Sequence, residues 1–449
     1  MSNRFARAII PAALLAGIAA ALSAEPLSCC APGAEPAPCV AGWCTGVAGP
    51  PAQESHWRRW GGPHGDFTVD VTGLADSWPA AGPHVVWRRD LGSGYSAIVV
   101  DDGRLFTMYR RRGSEVVIAM DAVDGATLWE YDYLVRLGDF DTAQGAGPHS
   151  SPLVYGDRLF TVGFTGEFHA FDKRTGEVLW SVNLWDDLGG TIRPRGYSSS
   201  PIEYGGAIIL PVGGRGQAVV GFDPEDGSIV WRGGDFDNAH ATPIIIDVDG
   251  QPQLVALMVD YVAGFDPASG AMLWRHPHRT DYGLNISTPI WGDDNLLFIS
   301  SAYSGGSRAL RLTLENGVTR VEELWFTNQM RVHFGTAIRI GDHLFGANGD
   351  FGPSFVTAVD MTDGSVLWRD RTFAKASFLL ADGKLIVLDE DGVLGLAVVS
   401  PAGMQVVARA DVFDSRAWTV PTLAGTVLFA RDLEEILAID LSVAANAEK

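Results

Sequence analysis

Two imidazoles, one ammonium and three large aromatic rings recur at one place in a repeated segment of this chain. Small hydroxylated residues stand before proline at Ser150-Ser151-Pro152, Ser199-Ser200-Pro201, Ala241-Thr242-Pro243 and Ser287-Thr288-Pro289. Weaker counterparts are Ser96-Ala97, Gly335-Thr336-Ala337, Ala376-Ser377 and Thr419-Val420-Pro421. Just before each lies Tyr95, His149, Ser198, His240, Ile286, Phe334, Lys375 or Trp418. One residue further back stand Tyr197, Asn285 and His333. Side chains alternate along a strand, so this second set faces away from the first. That parity weakens a zinc site of His149, His240 and His333, as does the Zn–N distance of about 2.0–2.1 Å that zinc requires. What Tyr95, His149, Ser198, His240, Lys375 and Trp418 offer together is donors, acceptors and aromatic surface for a small anionic or sugar-like ligand. Imidazole would be able to change charge between about pH 5 and 8. The alternative is a mouth filled with water. No Gly-x-Ser-x-Gly, His-Glu-x-x-His or phosphate-cradling loop is present in strong form, and Gly213-Gly214-Arg215-Gly216 reads as a turn. Catalytic residues and a metal site are therefore not expected.

The elements that must position these residues are written in a second pattern. His169 to Trp180 reads as a strand end, a tight turn from Lys173 to Gly176, and a returning strand closing on Trp180. An Asp entering a turn accepts hydrogen bonds from the following N–H groups, and Gly supplies the positive φ that closes it. The same Asp-x-x-x-Gly-x-x-x-Trp spacing occurs at Asp121–Trp129, Asp172–Trp180, Asp223–Trp231, Asp266–Trp274 and Asp360–Trp368. A looser copy with Thr313 in the Asp place ends at Trp325, and a worn one runs from Ser400 to Ala408 without a Trp. Asp440 opens a copy that the chain end cuts off, while Trp87 closes one with no hairpin before it. Joined, these two halves make eight copies. Self-similarity at about 40 to 51 residues predicts a propeller or solenoid. Each repeat adds a second turn and strand, as in Asp102-Gly103-Arg104-Leu105-Phe106, so four strands per blade are expected. The fold class is all-β: a single eight-bladed β-propeller whose ring is closed by an N-terminal strand pairing with C-terminal strands. Closure removes the open sheet edge.

The Ala-x-Asp-x-x-x-Gly-x-x-Leu-Trp copies resemble the pyrroloquinoline-quinone-type (PQQ-type) β-propeller repeat. That family includes quinoprotein alcohol dehydrogenases and the outer-membrane assembly lipoprotein B. Trp60-Gly61-Gly62-Pro63 and Gly94-Tyr95-Ser96 are most similar to uncharacterised exported bacterial members. The motif marks the blade skeleton rather than a site. For a dehydrogenase the resemblance implies PQQ, a Ca²⁺ site of carboxylate and amide oxygens, a vicinal disulfide and a Trp floor. Here the adjacent cysteines are Cys29 and Cys30, far ahead of the first complete blade, and only Trp418 stands near the channel strands. The expected role is a binding or scaffold protein of the cell envelope without a cofactor. A PQQ-dependent dehydrogenase, or an enzyme using the channel-mouth histidines on a small or carbohydrate-like ligand, is the alternative.

Composition and the flanks bound the rest. The chain has 449 residues and a formal charge of −21, which argues against a nucleic-acid backbone or an anionic membrane surface as partner. Residues 1–24 read as a signal peptide, with Arg4 and Arg7 before an apolar run too short and interrupted for a membrane span. Export to the periplasm or outside is expected, with no transmembrane segment after signal removal. Leu27-Ser28-Cys29-Cys30 resembles a lipid-anchor site faintly, and Glu25-Pro26 interrupts it. Residues 25–55 form a Cys/Pro/Ala-rich linker holding all four cysteines, where disulfides are their plainest use. Residues 56–91 form an ordered lead-in packing on the outside of the propeller, then the ring-closing strand. Residues 92–442 are the propeller, expected to be monomeric, and 443–449 a tail. Charged loops after the blade Trp residues carry Arg136, Asp139 and Asp141; Asp186, Asp187, Arg193 and Arg195; and His276, His278, Arg279 and Asp281. They are the other binding candidates, for a protein partner.

Overall fold

Thirty-two strands arranged as eight four-stranded antiparallel sheets make up the ring in a computed structural model that describes residues 56–292, 294–350 and 353–447. The signal, linker and cysteine expectations lie outside the described residues. Seven blades are contiguous in sequence, the first being Val99–Asp101, Arg104–Arg111, Ser114–Asp121 and Thr127–Leu134. The eighth joins Thr422–Ala424, Val427–Arg431 and Glu435–Asp440 to His84–Asp90. His84 pairs with Asp440 and Trp87 with Ala438, so the two half-motifs do complete one blade. Asn446, in the short helix Val443–Asn446, accepts the His84 N–H at 3.0 Å and pins that strand.

The repeated residues lock each blade to the next. Trp129, Trp180, Trp231, Trp274, Trp325 and Trp368 each stand opposite an Ala or Gly of their own sheet, beside a register shift. At most interfaces the indole N–H then reaches the following blade, whereas Trp231 Nε1 meets no hydrogen-bond partner. Trp87 donates to the Ala122 carbonyl, Trp129 to Lys173, Trp180 to Pro224 and Trp325 to Met361, at 2.7 to 3.1 Å. Each acceptor directly follows the motif Asp. That Asp holds its turn by accepting N–H bonds two or three residues on, as Asp172 does from Arg174 and Thr175. The turn Gly serves twice. At Gly227 φ is +74°, and a Cβ there would lie 2.7 Å from the Trp180 ring, so the preceding Trp requires a residue without a side chain. The fifth blade departs because its outer hairpin turns at Asn316-Gly317, both at positive φ, a sequence favoured in two-residue hairpin turns. With no Asp turn to meet, Trp274 donates instead to Gln253 of its own blade at 2.6 Å.

The hydroxyls before proline have a parallel use on the inner strands. The Ala97 N–H donates to Ser151, the Ser151 N–H to Ser200 and the Ser200 N–H to Thr242, at 2.9 to 3.0 Å. A short polar side chain thus replaces the backbone partner that an innermost strand lacks. Arg431, fully buried, completes the seam between blades eight and one by donating to the carbonyls of Met108 and Gly92 at 2.7 Å.

One expectation fails. The lead-in does not lie on the outside of the propeller. Trp57 exchanges backbone bonds with Val100 of blade one at 2.8 Å, and the Arg58 carbonyl accepts Val154 N–H of blade two at 2.8 Å. Trp60 Nε1 donates to Thr288, beside blade five, at 2.8 Å. Thr68–Val69 adds a parallel fifth strand beside Leu380–Ala381 of blade seven. A segment fixed to inner strands on opposite sides of a ring must cross its opening. Trp57, Phe67, Val69, Val71 and Leu74 are buried there, because the strand ends offer both apolar cover and unpaired backbone groups.

Candidate ligand-binding site

The lead-in crosses the end of the channel that holds the Asp-Gly turns, so the cavity opens at the other end, among the connections between blades. Its volume is about 370 Å³. All eight residues of the counted register line it: Tyr95, His149, Ser198, His240, Ile286, Phe334, Lys375 and Trp418. They sit just ahead of the inner strands, where equivalent positions in successive blades converge on the axis. Tyr197 and Asn285 turn away as the alternation requires; Tyr197 donates to the Pro211 carbonyl at 2.9 Å and Asn285 to Met258 at 2.6 Å. His333 does not follow that parity and lines the cavity. Its neighbour Val332 makes only an isolated bridge to Asn348, so the segment is not yet in regular strand alternation. His333 meets the Tyr303 hydroxyl at 2.7 Å through Nε2.

Trp418 is the centre of one wall. Its ring stacks with Tyr95 at 5.3 Å and Phe334 at 4.9 Å, and the Arg416 guanidinium lies 4.5 Å from its centroid. Its indole donates to Glu390 Oε2 at 3.0 Å, and Lys375 Nζ approaches the same oxygen at 3.4 Å and the ring at 5.6 Å. Trp418 is therefore enclosed by neighbours rather than presented as an open platform. A second aromatic lining comes from Trp60, half-buried, which reaches the cavity from the lead-in and packs at 85° to Phe67. Sequence reasoning placed Trp60 on the outer wall and missed it. The signal available was its place in a Trp-rich segment that belongs to no blade.

The histidines are neutral. Burial pushes His149 down to about 4. Burial first, then the charges of Arg193, His149 and Arg195, push His240 down to about 3, and neither of its ring nitrogens has a hydrogen-bond partner. His333 is also held near 3, by burial and then by Lys375 and Arg195. The expected change of charge between pH 5 and 8 is thus corrected: the imidazoles lie too deep in the wall to protonate there. Among the described residues, the one close group of three metal-ligating side chains is His56, Asp101 and Asp102, outside this cavity. There Asp101 already accepts Arg58 at 2.5 Å and Lys173.

The charged loops meet over the mouth. Arg195 donates to Asp141 at 3.0 Å, and the Asp141 N–H to the Pro194 carbonyl at 2.8 Å. Gln144 accepts from both Tyr95 and Arg416, which ties the loop after blade one to blades one and eight. His278 is buried scaffold instead: it accepts from Arg308 at 3.1 Å and meets Ser301 at 2.9 Å.

Eight four-stranded blades, most joined Trp-onto-turn, with a pocket at the loop end of the axis, define a propeller of PQQ-type repeats. The chain belongs to the family described as outer membrane protein assembly factor BamB, whose model matches residues 113–370. It is 26% identical over 200 residues to outer membrane protein assembly factor BamB of Yersinia pestis, covering 42% of this chain and 47% of that one. It is 29% identical over 120 residues to quinohemoprotein alcohol dehydrogenase ADH IIB of Pseudomonas putida, covering 26% and 17%. The chain thus spans less than half the length of either relative. The quinohemoprotein alcohol dehydrogenase structure from Comamonas testosteroni shares the fold, with a TM-score of 0.62 at 12% identity over 87% of this chain and 81% of that one.

Proposed function

We propose that this propeller is a binding or scaffold protein of the cell envelope, with the loop-end pocket as its site and no redox chemistry of its own. One observation carries the reading: the eight residues just ahead of the inner strands and Trp60 line one pocket beneath joined loops. Long charged loops on a rigid frame are suited to a protein partner. The envelope location is supported by the relatives named for outer-membrane assembly, and no helix among the described residues is long and apolar enough to cross a membrane. Co-purification from native envelopes with native mass spectrometry tests the reading. A stoichiometric small molecule or partner lost on His240→Phe is expected; an empty monomer throughout overturns it.

A quinone-dependent dehydrogenase is the second reading, favoured by Trp60 at the pocket floor and by the likeness to the Pseudomonas putida enzyme. The donor set fits poorly. Ca²⁺ takes about 6–8 oxygen ligands at 2.3–2.6 Å, whereas the lining carboxylates Asp141, Asp350 and Glu390 face Arg195, Arg331 and Lys375 at 3.0 to 3.4 Å. Cys29 and Cys30 lie outside the described residues. Reconstitution with PQQ and Ca²⁺ should give no dye-linked alcohol oxidation, and turnover would establish the second reading.

A further inference from the structure

The chemistry of the lining narrows the ligand, given that the pocket is the binding site as proposed above. Charge is the first discriminator. Arg195, Lys375 and Arg416 line the pocket with Asp141, Asp350 and Glu390, three basic against three acidic groups, so the lining is neutral in a chain of net charge −21. Lys375 faces Glu390 and Arg195 faces Asp141, so an anionic ligand at either cation would have to displace a carboxylate, while Arg416 is held by Gln144 and lies over the Trp418 ring. His149 and His240 add no charge above about pH 4.

Hydrogen-bonding capacity is the second. Glu390 uses Oε2 for both Trp418 and Lys375, which leaves Oε1 as an acceptor. Lys375 has an ion-pair contact but two further N–H groups to give. Ser198, half-buried in the lining, offers a hydroxyl that both donates and accepts. Donors and acceptors so interleaved match groups that do both at once, as neighbouring hydroxyls do. A flat aromatic anion uses only the donors.

Shape is the third. The floor is the Trp60 indole, whose N–H is tied to Thr288 and whose electron-rich face suits polarised C–H groups. A volume of about 370 Å³ is at the small end for ligand sites.

We infer that the pocket takes a neutral sugar: a single pyranose ring laid on Trp60, its hydroxyls shared among the Lys375–Glu390 pair and Ser198. The test is titration of the full chain, by calorimetry and ligand-observed NMR, with glucose, galactose and N-acetylglucosamine, and with glucuronate and PQQ as anionic probes. At least one neutral sugar should bind, with glucuronate about tenfold weaker or more. Trp60→Ala and Glu390→Gln should each weaken the sugar by about tenfold, and Trp60→Phe should retain most of the affinity. Since Trp60→Ala also loosens the lead-in, Glu390→Gln and Trp60→Phe keep the test informative if it unfolds. Binding of glucuronate or PQQ without any neutral sugar overturns the ligand class and leaves the pocket as a binding site. Sugar binding indifferent to Glu390→Gln, or to a folded Trp60→Ala, overturns the placement. No binding of any probe, with native envelopes also yielding an empty protein, overturns both the sugar and the pocket.

Discussion

The motif Gly and the preceding blade's Trp should behave as one unit in a double-mutant cycle. Gly227 and Trp180 make the clearest case. Trp180 packs against Phe168 at 5.0 Å and Phe160 at 5.9 Å, and donates to Pro224 at 3.0 Å. A fully buried Trp replaced by Ala costs about 3–5 kcal/mol; Trp180 is half-buried, which places Trp180→Ala at about 2–4 kcal/mol. In Gly227→Ala the new methyl sits 2.7 Å from the indole at φ +74°. Left-handed backbone costs a non-glycine residue about 1–2 kcal/mol, and overpacking adds about 1–3 kcal/mol. Only the backbone part persists once the indole is gone. The double mutant should therefore be more stable than the sum of the single changes by about 1–3 kcal/mol. Urea unfolding followed by circular dichroism, with slopes compared to confirm one transition, reads this directly. Additivity within about 0.5 kcal/mol would refute the reasoning, because the glycine would then serve its own turn alone.

Removing the chain through Gly82 should keep the closing strand and the folded ring, whereas removal through Leu91 should cause aggregation by freeing the last sheet edge; size-exclusion profiles separate the two. Arg431→Met should cost more than about 2 kcal/mol because it strips charged donors from buried carbonyls. Arg88→Met, in a partly exposed pair with Glu435, should change the unfolding free energy read from urea titration by less than about 1 kcal/mol. His149, His169, His240, His278 and His333 are all held at about 3 to 4 in the folded chain, below their ordinary value of 6.5. Unfolding then takes up protons below pH 6.5, so stability should fall as pH drops from 6.5 toward 4, by about 2 kcal/mol per histidine at pH 5. Glu115, pushed up to about 7 by burial, works oppositely, losing stability as pH rises from 4.5 through 7. Five histidines outweigh one glutamate, so urea midpoints should rise from about pH 4 to a plateau above about pH 7, and Glu115→Gln should steepen that rise.

What the sequence made legible followed from repetition. Five copies of one spacing, with three altered ones between and at the ends, betray the blades because Asp, Gly and Trp each meet a geometric need that recurs at most interfaces. The same counting found the pocket wall, since residues equivalent in register converge wherever blades share an axis. Repetition could not reveal what occurs once. Trp60 belongs to no blade, and nothing periodic tells a segment crossing the channel from one lying on the outer wall. Only the scattered attachment of that segment, at Val100, Val154, Thr288 and Leu380, shows that it closes the floor. Protonation states were hidden for a related reason. His149 and His240 stand in a register shared with half-buried Ser198, yet Nε2 of His149 and both ring nitrogens of His240 are buried. Burial depth depends on neighbours drawn from other blades, such as Phe164 at 5.2 Å from His149. Lys375 carries the consequence for function. Read alone it promises an anion site; beside Glu390 at 3.4 Å it becomes half of a neutral pair, and the preferred ligand changes from a charged molecule to a hydroxylated one.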